Sequence, residues 1–381
     1  MNRSCAPIAF VLALSVTLII TGCSARGVSP QEAPARAATK SGSCGDEATS
    51  GTFVQANQGP PKVADTLPGF ESYTFSALTA ASNAVFAGGQ AADSANAIGE
   101  APATVVRIDP ATGKALARAK ITGENMTGMP TLQSDGPGDL VDRIDSIAYS
   151  DTEVFVVWQQ VKARQSQNYT LIALDRCSLK TLAVHPLDKA YGSADPFFSL
   201  AYDKSRDQLW FEQGGDGAFS FAARTLGPIA TVPIPPSGTI AGFTQGSIAA
   251  DDKGNVLVAG GASPVIQVNP DTQTATPVPG YDNTIGRIQY TSGHWFYSDQ
   301  YQLSELQIGG AVKPALAKPI SANFAQVSYQ GKTPYALTGP NELTNTTTGA
   351  KTKLAENTFV LASTGQLLWG FNFDGTIVVI H

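Results

Sequence analysis

Charged residues make up only 15% of this chain, and it contains three histidines, three methionines and four cysteines. The shortage of Glu and Lys removes the material of solvent-facing helices, which need charged residues in periodic runs. Lysine and arginine form no cluster and the formal charge is −6, so neither a nucleic acid nor an anionic lipid surface meets a basic patch. His185, His294 and His381 stand far apart, which excludes a local histidine pair at metal-binding spacing. Neither a Gly-x-Ser-x-Gly nucleophile elbow nor a Gly-x₄-Gly-Lys-Ser/Thr phosphate loop occurs. Nothing in the sequence calls for a cofactor, and none is expected.

Glycine and proline are plentiful, at 37 and 24 residues, as suits many short strands joined by turns. The chain also repeats itself. VRIDPATGKALA begins at Val106, IALDRCSLKTLA at Ile172 and IQVNPDTQTATP at Ile266. Each is an alternating strand, then Asp or Asn, a short turn and a second strand. Fainter copies start at Phe219, Glu305 and Glu342, and a further strand pair precedes each copy. SIAADDKGNVLVAGG, from Ser247, shows such a pair best, and the end of the chain, LASTGQLLWGFNFDGTIVVIH, matches it strand for strand. Four strands per unit at a period of about 40–50 residues predict a β-propeller.

Third strands near Val106, Ile172, Phe219, Ile266, Leu306, Leu343 and Ile377 give seven blades, with six or eight as the alternatives. The last unit runs out after its third strand, so its outer strand must come from the N-terminal side, from residues 51–56 or 62–67. Joining first and last segments in one sheet removes the exposed edges of an open ring. Two packed β-sandwiches would not produce the regular doublets. Residues 122–140 (TGENMTGMPTLQSDGPGDL) are expected to project as a Gly/Asp-rich loop.

The block IDPATGK resembles the blade motif of propellers of the PQQ-dehydrogenase-like and YVTN kind, and DGTIVVIH resembles a WD-type blade. That resemblance implies a fold and says little of function. Quinone-dependent relatives of this kind carry a regular blade tryptophan and an adjacent cysteine pair. Here Leu116 stands after the Thr-Gly-Lys block, no adjacent cysteines occur, and Trp158, Trp210, Trp295 and Trp369 fall at the ends of predicted second strands. Those tryptophans are expected to pack between blades.

The N-terminus has a second resemblance. Arg3 precedes an apolar run from residue 6 to 20, and Ile20-Thr21-Gly22-Cys23 follows. A basic start, an apolar core and small residues form a secretory signal, and the tetrapeptide resembles the lipobox of bacterial lipoproteins. It implies removal of residues 1–22, lipid on Cys23, and a place at the outer face of the cytoplasmic membrane, or on the outer membrane of a diderm cell. Residues 23–50, rich in Ala, Ser, Gly and Pro, read as a tether, and residues 51–381 as the propeller domain. Cys5 leaves with the signal, so only Cys44 and Cys177 remain. In an oxidising compartment they are expected to pair, the other possibility being two free buried thiols.

Two functions fit these residues. One is a monomeric binding or scaffold module for an envelope protein, a cell-wall polymer or a small ligand. The other is a lyase, lactonase or glycan-acting hydrolase with its site at the central funnel, built from residues such as Arg143, Asp145 and Arg287. Streptogramin-lyase-like propellers use a histidine, for which His294 is the candidate. His185, before Pro186, is expected in a turn. Asp135, Asp139 and Asp142 offer oxygen ligands of the type calcium takes, though without EF-hand spacing, and solvated turns are the expectation for them.

Overall fold

Residues that alternate between apolar and polar present one face to a core and the other to solvent when the chain is extended. In the computed structural model the regular elements of the described residues are strands throughout. Described are Cys44, Pro61 and residues 63–91, 101–122, 140–162, 166–187, 198–213, 217–234, 247–259, 265–281, 286–299, 302–309, 313–314, 325–339, 341–354, 357–359, 361–372 and 374–381. All belong to one unit, Ser41–His381.

The strands form seven four-stranded antiparallel sheets. After β1 (Val63–Thr66), blade 1 is β2 (Tyr73–Ala81), β3 (Ala84–Ala91), β4 (Ala103–Ile108) and β5 (Ala115–Ile121). Blade 2 is β6 (Leu140–Tyr149), β7 (Glu153–Lys162), β8 (Ser166–Asp175) and β9 (Thr181–Leu187). Blade 3 is β10 (Phe198–Asp203), β11 (Gln208–Gln213), β12 (Gly217–Ala222) and β13 (Pro228–Pro233). Blade 4 is β14 (Ser247–Ala250), β15 (Val256–Ala259), β16 (Ile266–Asn269) and β17 (Thr274–Pro277). Blade 5 is β18 (Gly286–Thr291), β19 (His294–Asp299), β20 (Leu303–Leu306) and β21 (Lys313–Pro314). Blade 6 is β22 (Gln326–Gln330), β23 (Thr333–Gly339), β24 (Glu342–Asn345) and β25 (Lys351–Lys353). Blade 7 is β26 (Ala362–Ser363), β27 (Leu368–Phe371) and β28 (Ile377–Ile380), completed by β1.

This is a seven-bladed β-propeller. Its closure is the one the sequence requires: Val63 pairs with Ile380 and Thr66 with Val378, so the outer strand comes from residues 62–67, while 51–56 lie outside the described residues. The last blade therefore joins both ends of the folded chain in one sheet, and neither end leaves an open edge.

Burial explains why the strands differ. The second and third strands, such as Ala84–Ala91 and Ala103–Ile108, are buried almost throughout, because both of their faces meet a neighbouring blade. Outer strands such as Thr181–Leu187 and Pro228–Pro233 alternate and are largely exposed. One apolar cluster fills each seam between neighbouring blades. Phe75, Val85 and Val106 of blade 1 meet Trp369, Ile377 and Val379 of blade 7, and Phe86 and Val105 meet Trp158 and Val156 of blade 2. Trp210 fills the seam of blades 3 and 4, and Trp295 that of blades 4 and 5. All four tryptophans do lie between blades. They sit within the second strands rather than at their ends.

The repeated Asp or Asn has a local cause. Asp109 Oδ1 accepts from Ala111 N at 2.9 Å, Asp175 Oδ1 from Ser178 N at 2.8 Å, Asn269 Oδ1 from Asp271 N at 3.0 Å, and Asn345 Oδ1 from Thr347 N at 3.0 Å. Each side chain closes the third-to-fourth-strand turn upon itself, as Asx turns do. Four residues on, the backbone enters the left-handed region, at Gly113 and Gly349 but also at Leu179 and Gln273. Glycine takes that φ without strain. Leu179 takes it because its side chain is buried in the seam of blades 1 and 2.

Candidate functional site

Strand direction divides the ring into two faces. First-to-second and third-to-fourth connections leave on one, the turn face, and the remaining connections leave on the other, the loop face. On the turn face the links are tight, such as 82–83, 292–293 and 331–332. The long links, 122–139, 188–197, 234–246 and 315–325, all join strand ends of the loop face.

The first strands of six blades line a central channel. Its cavity measures about 770 Å³ and is bounded by β2, β6, β10, β18, β22 and β26, with Asp252 at the turn end of blade 4. These inner strands are tied edge to edge by side chains, since neighbouring blades share no backbone ladder. Ser76 Oγ donates to Ile144 O at 2.6 Å, and Ser199 Oγ accepts from Ile248 N at 3.2 Å. Gln289 spans blades 5 and 6 twice, donating to Val327 O at 2.6 Å and accepting from Val327 N at 2.9 Å. Gln326 Oε1 accepts from Leu361 N at 2.8 Å.

Register places five of the residues that line the channel at one level, near the loop-face ends of β10, β18 and β22. The fourth residue back from the last paired position of β2, β6, β10, β18 and β22 is Ala77, Asp145, Ser199, Arg287 and Gln326, respectively, and all five line the cavity. Asp145 reaches that level through a bulge in β6 between Ile144 and Ser146. Bulges re-aim side chains in this way.

The structure thus brings Asp145 and Arg287 to one channel, three blades apart. Arg143 Nε lies 2.7 Å from Asp145 Oδ1, so that carboxylate is engaged within its own strand. Burial nevertheless pushes Asp145 up to about 6, against the pull of Arg143. No carboxylate among the described residues pairs with Arg287. Burial alone holds its guanidinium below the ordinary arginine range.

Other predicted site residues fall elsewhere. Asp142 is a half-buried strand residue of β6, not a solvated turn. It accepts from Gln160 Nε2 at 3.0 Å, and burial outweighs that bond to push it up to about 6. Asp135 and Asp139 lie outside the described residues. Among the described residues no group of three His, Cys, Asp or Glu could hold a metal ion. His185 lies in strand β9, not in a turn, because Pro186 beside it occupies an outer strand that has no further neighbour. His294 opens β19 on the turn face and has a partner the sequence did not disclose: its Nδ1 is 2.8 Å from Glu305 Oε1, and its ring stacks on Tyr329, centroids 6.1 Å apart. It does not line the channel.

Cys44 and Cys177 lie at disulfide distance, Cα to Cα 5.4 Å. Cys177 sits in the Asp175 turn, and Arg107 Nη1 of the neighbouring blade donates to its carbonyl at 3.3 Å. Cys23 lies outside the described residues. Two further arginines clamp the turn face across seams. Arg176 donates to Asn83 Oδ1 at 2.6 Å and lies over the Tyr149 ring. Arg206 joins Asp203 and Asp271 at 3.2 and 3.1 Å.

No protein-family model matches the chain, and no curated protein does. Solved structures share its fold. The Cps50 (Swd1) β-propeller domain of Myceliophteria thermophila superposes with a TM-score of 0.56 at 11% identity, over 84% of this chain and 99% of that one. Raptor of Chaetomium thermophilum gives 0.52 at 10%, over 84% of this chain and 29% of its own. BamB of Moraxella catarrhalis gives 0.46 at 11%, over 80% and 83%. At these identities the likeness to the first two is one of fold.

Proposed function

We propose that this chain is an envelope-anchored lipoprotein whose propeller is a binding or scaffold module for a protein of the cell envelope. The observation that carries the binding part is the asymmetry of the ring: the long connections all spring from one face of a rigid, seam-packed scaffold, which is where recognition surfaces are built. The β-propeller domain of Cps50 (Swd1) shares this fold. The anchoring part rests on Ile20-Thr21-Gly22-Cys23 and the apolar run before it. Under this reading residues 1–22 are removed, Cys23 carries lipid and residues 23–50 form the tether.

The two parts fit together geometrically. Cys44 meets the turn face through Cys177, and β1 enters its sheet beside Ile380, at the turn-face end of β28. On this reading the tether joins the propeller on the face opposite the long connections.

Fractionation of cells with Cys23→Ser, together with a photo-crosslinker at position 129 or 112, tests both parts. The variant is expected to move from the membrane to the soluble fraction, and cross-links to a partner to form from 129 on the loop side and not from 112 in the turn. Unchanged membrane association overturns the anchor. Equal cross-linking from both positions overturns the loop face as the binding surface.

A further inference from the structure

We propose that the outer rim of blades 1–3, at its turn-face end, docks on the lipid surface that carries the anchor, through Leu182 and Ile229 with Leu116 beside them. This rests on the lipid anchor of the preceding reading and adds which side of the ring meets the bilayer.

One irregularity recurs in three consecutive blades. Each outer strand opens with a bulge, so that one extra residue stands opposite the end of the third strand. It falls between Ala115 and Ala117 in blade 1, between Thr181 and Ala183 in blade 2, and between Pro228 and Ala230 in blade 3. The extra residues are Leu116, Leu182 and Ile229. In blades 4 and 6 the same ladder runs without a bulge, and the matching positions hold Thr276 and Thr352. A bulge re-aims the side chain of its extra residue. In blades 2 and 3 that side chain faces solvent, with Leu182 48% and Ile229 47% exposed. They are two of the three exposed large apolar side chains among the described residues. Single apolar residues scattered over a surface mean little, but one structural position filled alike in neighbouring blades is not scatter. Leu116 is half-buried and lines a rim groove with Phe70, Lys114 and Arg118.

What covers this arc is not an added strand. Pro186 in β9 and Pro228 and Pro233 in β13 lack the N–H that a new strand would need, and β5 carries Arg118 and Lys120. Prolines and charged side chains are how edge strands refuse partners. The three outer strands also contain no Asp or Glu. Exposed Lys114 and Lys180 each stand two residues before the bulged leucine, where a lysine stem can lie along apolar surface and its ammonium group reach the headgroups. The nearest acids are already engaged: Asp109 and Asp175 close their own turns, and Asp207 lies 3.4 Å from Arg224. Spread over two blades, these cations form no patch that would hold the protein on a membrane by charge alone. The apolar side chains make the contact.

The anchor makes so small a contact sufficient. Cys44 lies at disulfide distance from Cys177, in the turn that leads into Leu182, on the middle blade of the three. Cys23 stands 21 residues earlier, a span of at most about 75 Å when extended. A link of that length keeps the rim within reach of the bilayer and turns a weak contact into an intramolecular one. Apolar residues of surface-bound proteins sit about 5–10 Å deep, at the boundary of headgroups and acyl chains, which is deep enough for the side chains of a curved rim.

Tryptophan probes test the docking. The lipidated full chain is reconstituted in POPC vesicles, with or without phosphatidylcholine brominated in its acyl chains, and flotation reports the anchor. The four native tryptophans are buried in the seams, so an added one, read as the difference from the parent chain, reports its own surroundings. The added fluorescence of Leu182→Trp and of Ile229→Trp is expected to fall at least twofold in brominated vesicles. That of Thr352→Trp, on blade 6, is expected to stay unchanged. Adding Leu182→Asp to the Ile229→Trp chain is expected to abolish the quenching while flotation and Tm hold, since Leu182 is exposed. Chains that float without quenching at 182 and 229 overturn the docking and leave the anchor standing, and the arc then faces a protein. Equal quenching at 352 overturns the choice of blades 1–3, and quenching that survives Leu182→Asp overturns the part played by the apolar pair. Chains that fail to float overturn the anchor, and the docking with it.

Discussion

On the turn face the described connections are short and closed by their own side chains, whereas on the loop face the chain leaves the strands for stretches such as 122–139 and 234–246. Asp109, Asp175, Asn269 and Asn345 each accept a hydrogen bond from a backbone N–H of their own turn. Arg176, Arg206 and the Cys44–Cys177 pair then join one blade or segment to the next on that same side. Toward the loop side the described ties between blades are single hydrogen bonds, such as Gln90 Nε2 to Asp142 O and Ala325 N to Ser298 Oγ. A ring built this way can hold its shape from one side and change its sequence on the other.

If the turn face carries the stability, breaking its covalent link should have the largest effect. Cys177→Ser frees a segment attached 133 residues away in sequence and is expected to cost about 2–5 kcal/mol. The turn itself should survive, because Asp175 holds it through Ser178 N and Ser178 Oγ. Thermal and denaturant unfolding of the variant beside the oxidised wild type measures the loss. An unchanged midpoint would remove the disulfide from the account of the turn face.

A smaller effect should come from the inner strand of blade 2, where Asp142 and Asp145 are each raised to about 6. A carboxyl raised in the folded state binds its proton more tightly there than in the unfolded chain, where its pKa is about 3.9. Its contribution is therefore fully present below pH 4 and is lost as the pH climbs through 6. Asp142 is the cleaner probe, because no ion pair competes with its burial. Asp142→Asn is expected to remove about 1–2 kcal/mol of that pH-dependent loss, read as a flatter stability curve between pH 4 and 6.5. It keeps an acceptor for Gln160, so the strand should be undisturbed at low pH. A curve parallel to that of the wild type would mean that Asp142 is solvated like a surface carboxylate.

What could be read from the sequence was whatever a blade decides for itself. The third strands near Val106, Ile172 and Ile266 were legible because Asp109, Asp175 and Asn269 announce their turns within a few residues. Blade 5 was faint for a physical reason: β20 has four residues and β21 two, too few to show an alternation. The source of the closing strand stayed open between two segments, since Val-Ala-Asp-Thr carries little pattern of its own and its role is fixed by Ile380 and Val378. The site depends still more on other blades. That Arg287 has no counter-charge among the described residues, or that His294 meets Glu305 and Tyr329, follows from which strands lie beside one another. Only the position of Asp145 left a trace, as a charge interrupting the apolar alternation of β6, and a bulge is one reading of such an interruption.

The smallest effect on stability should come from the largest change on the loop face. Exchanging residues 123–139 for a Gly-Ser segment of equal length leaves β5 and β6 joined by a link of the same reach. The entropic cost of closing a loop depends on its length far more than on its composition, so unfolding should shift by no more than about 0.5 kcal/mol. Partner cross-linking from the loop face, by contrast, should disappear. This pairing of results separates the two faces more sharply than either measurement alone. A large loss of stability would show that the segment packs on the seam of blades 1 and 2, and the loop face would then share in holding the ring together.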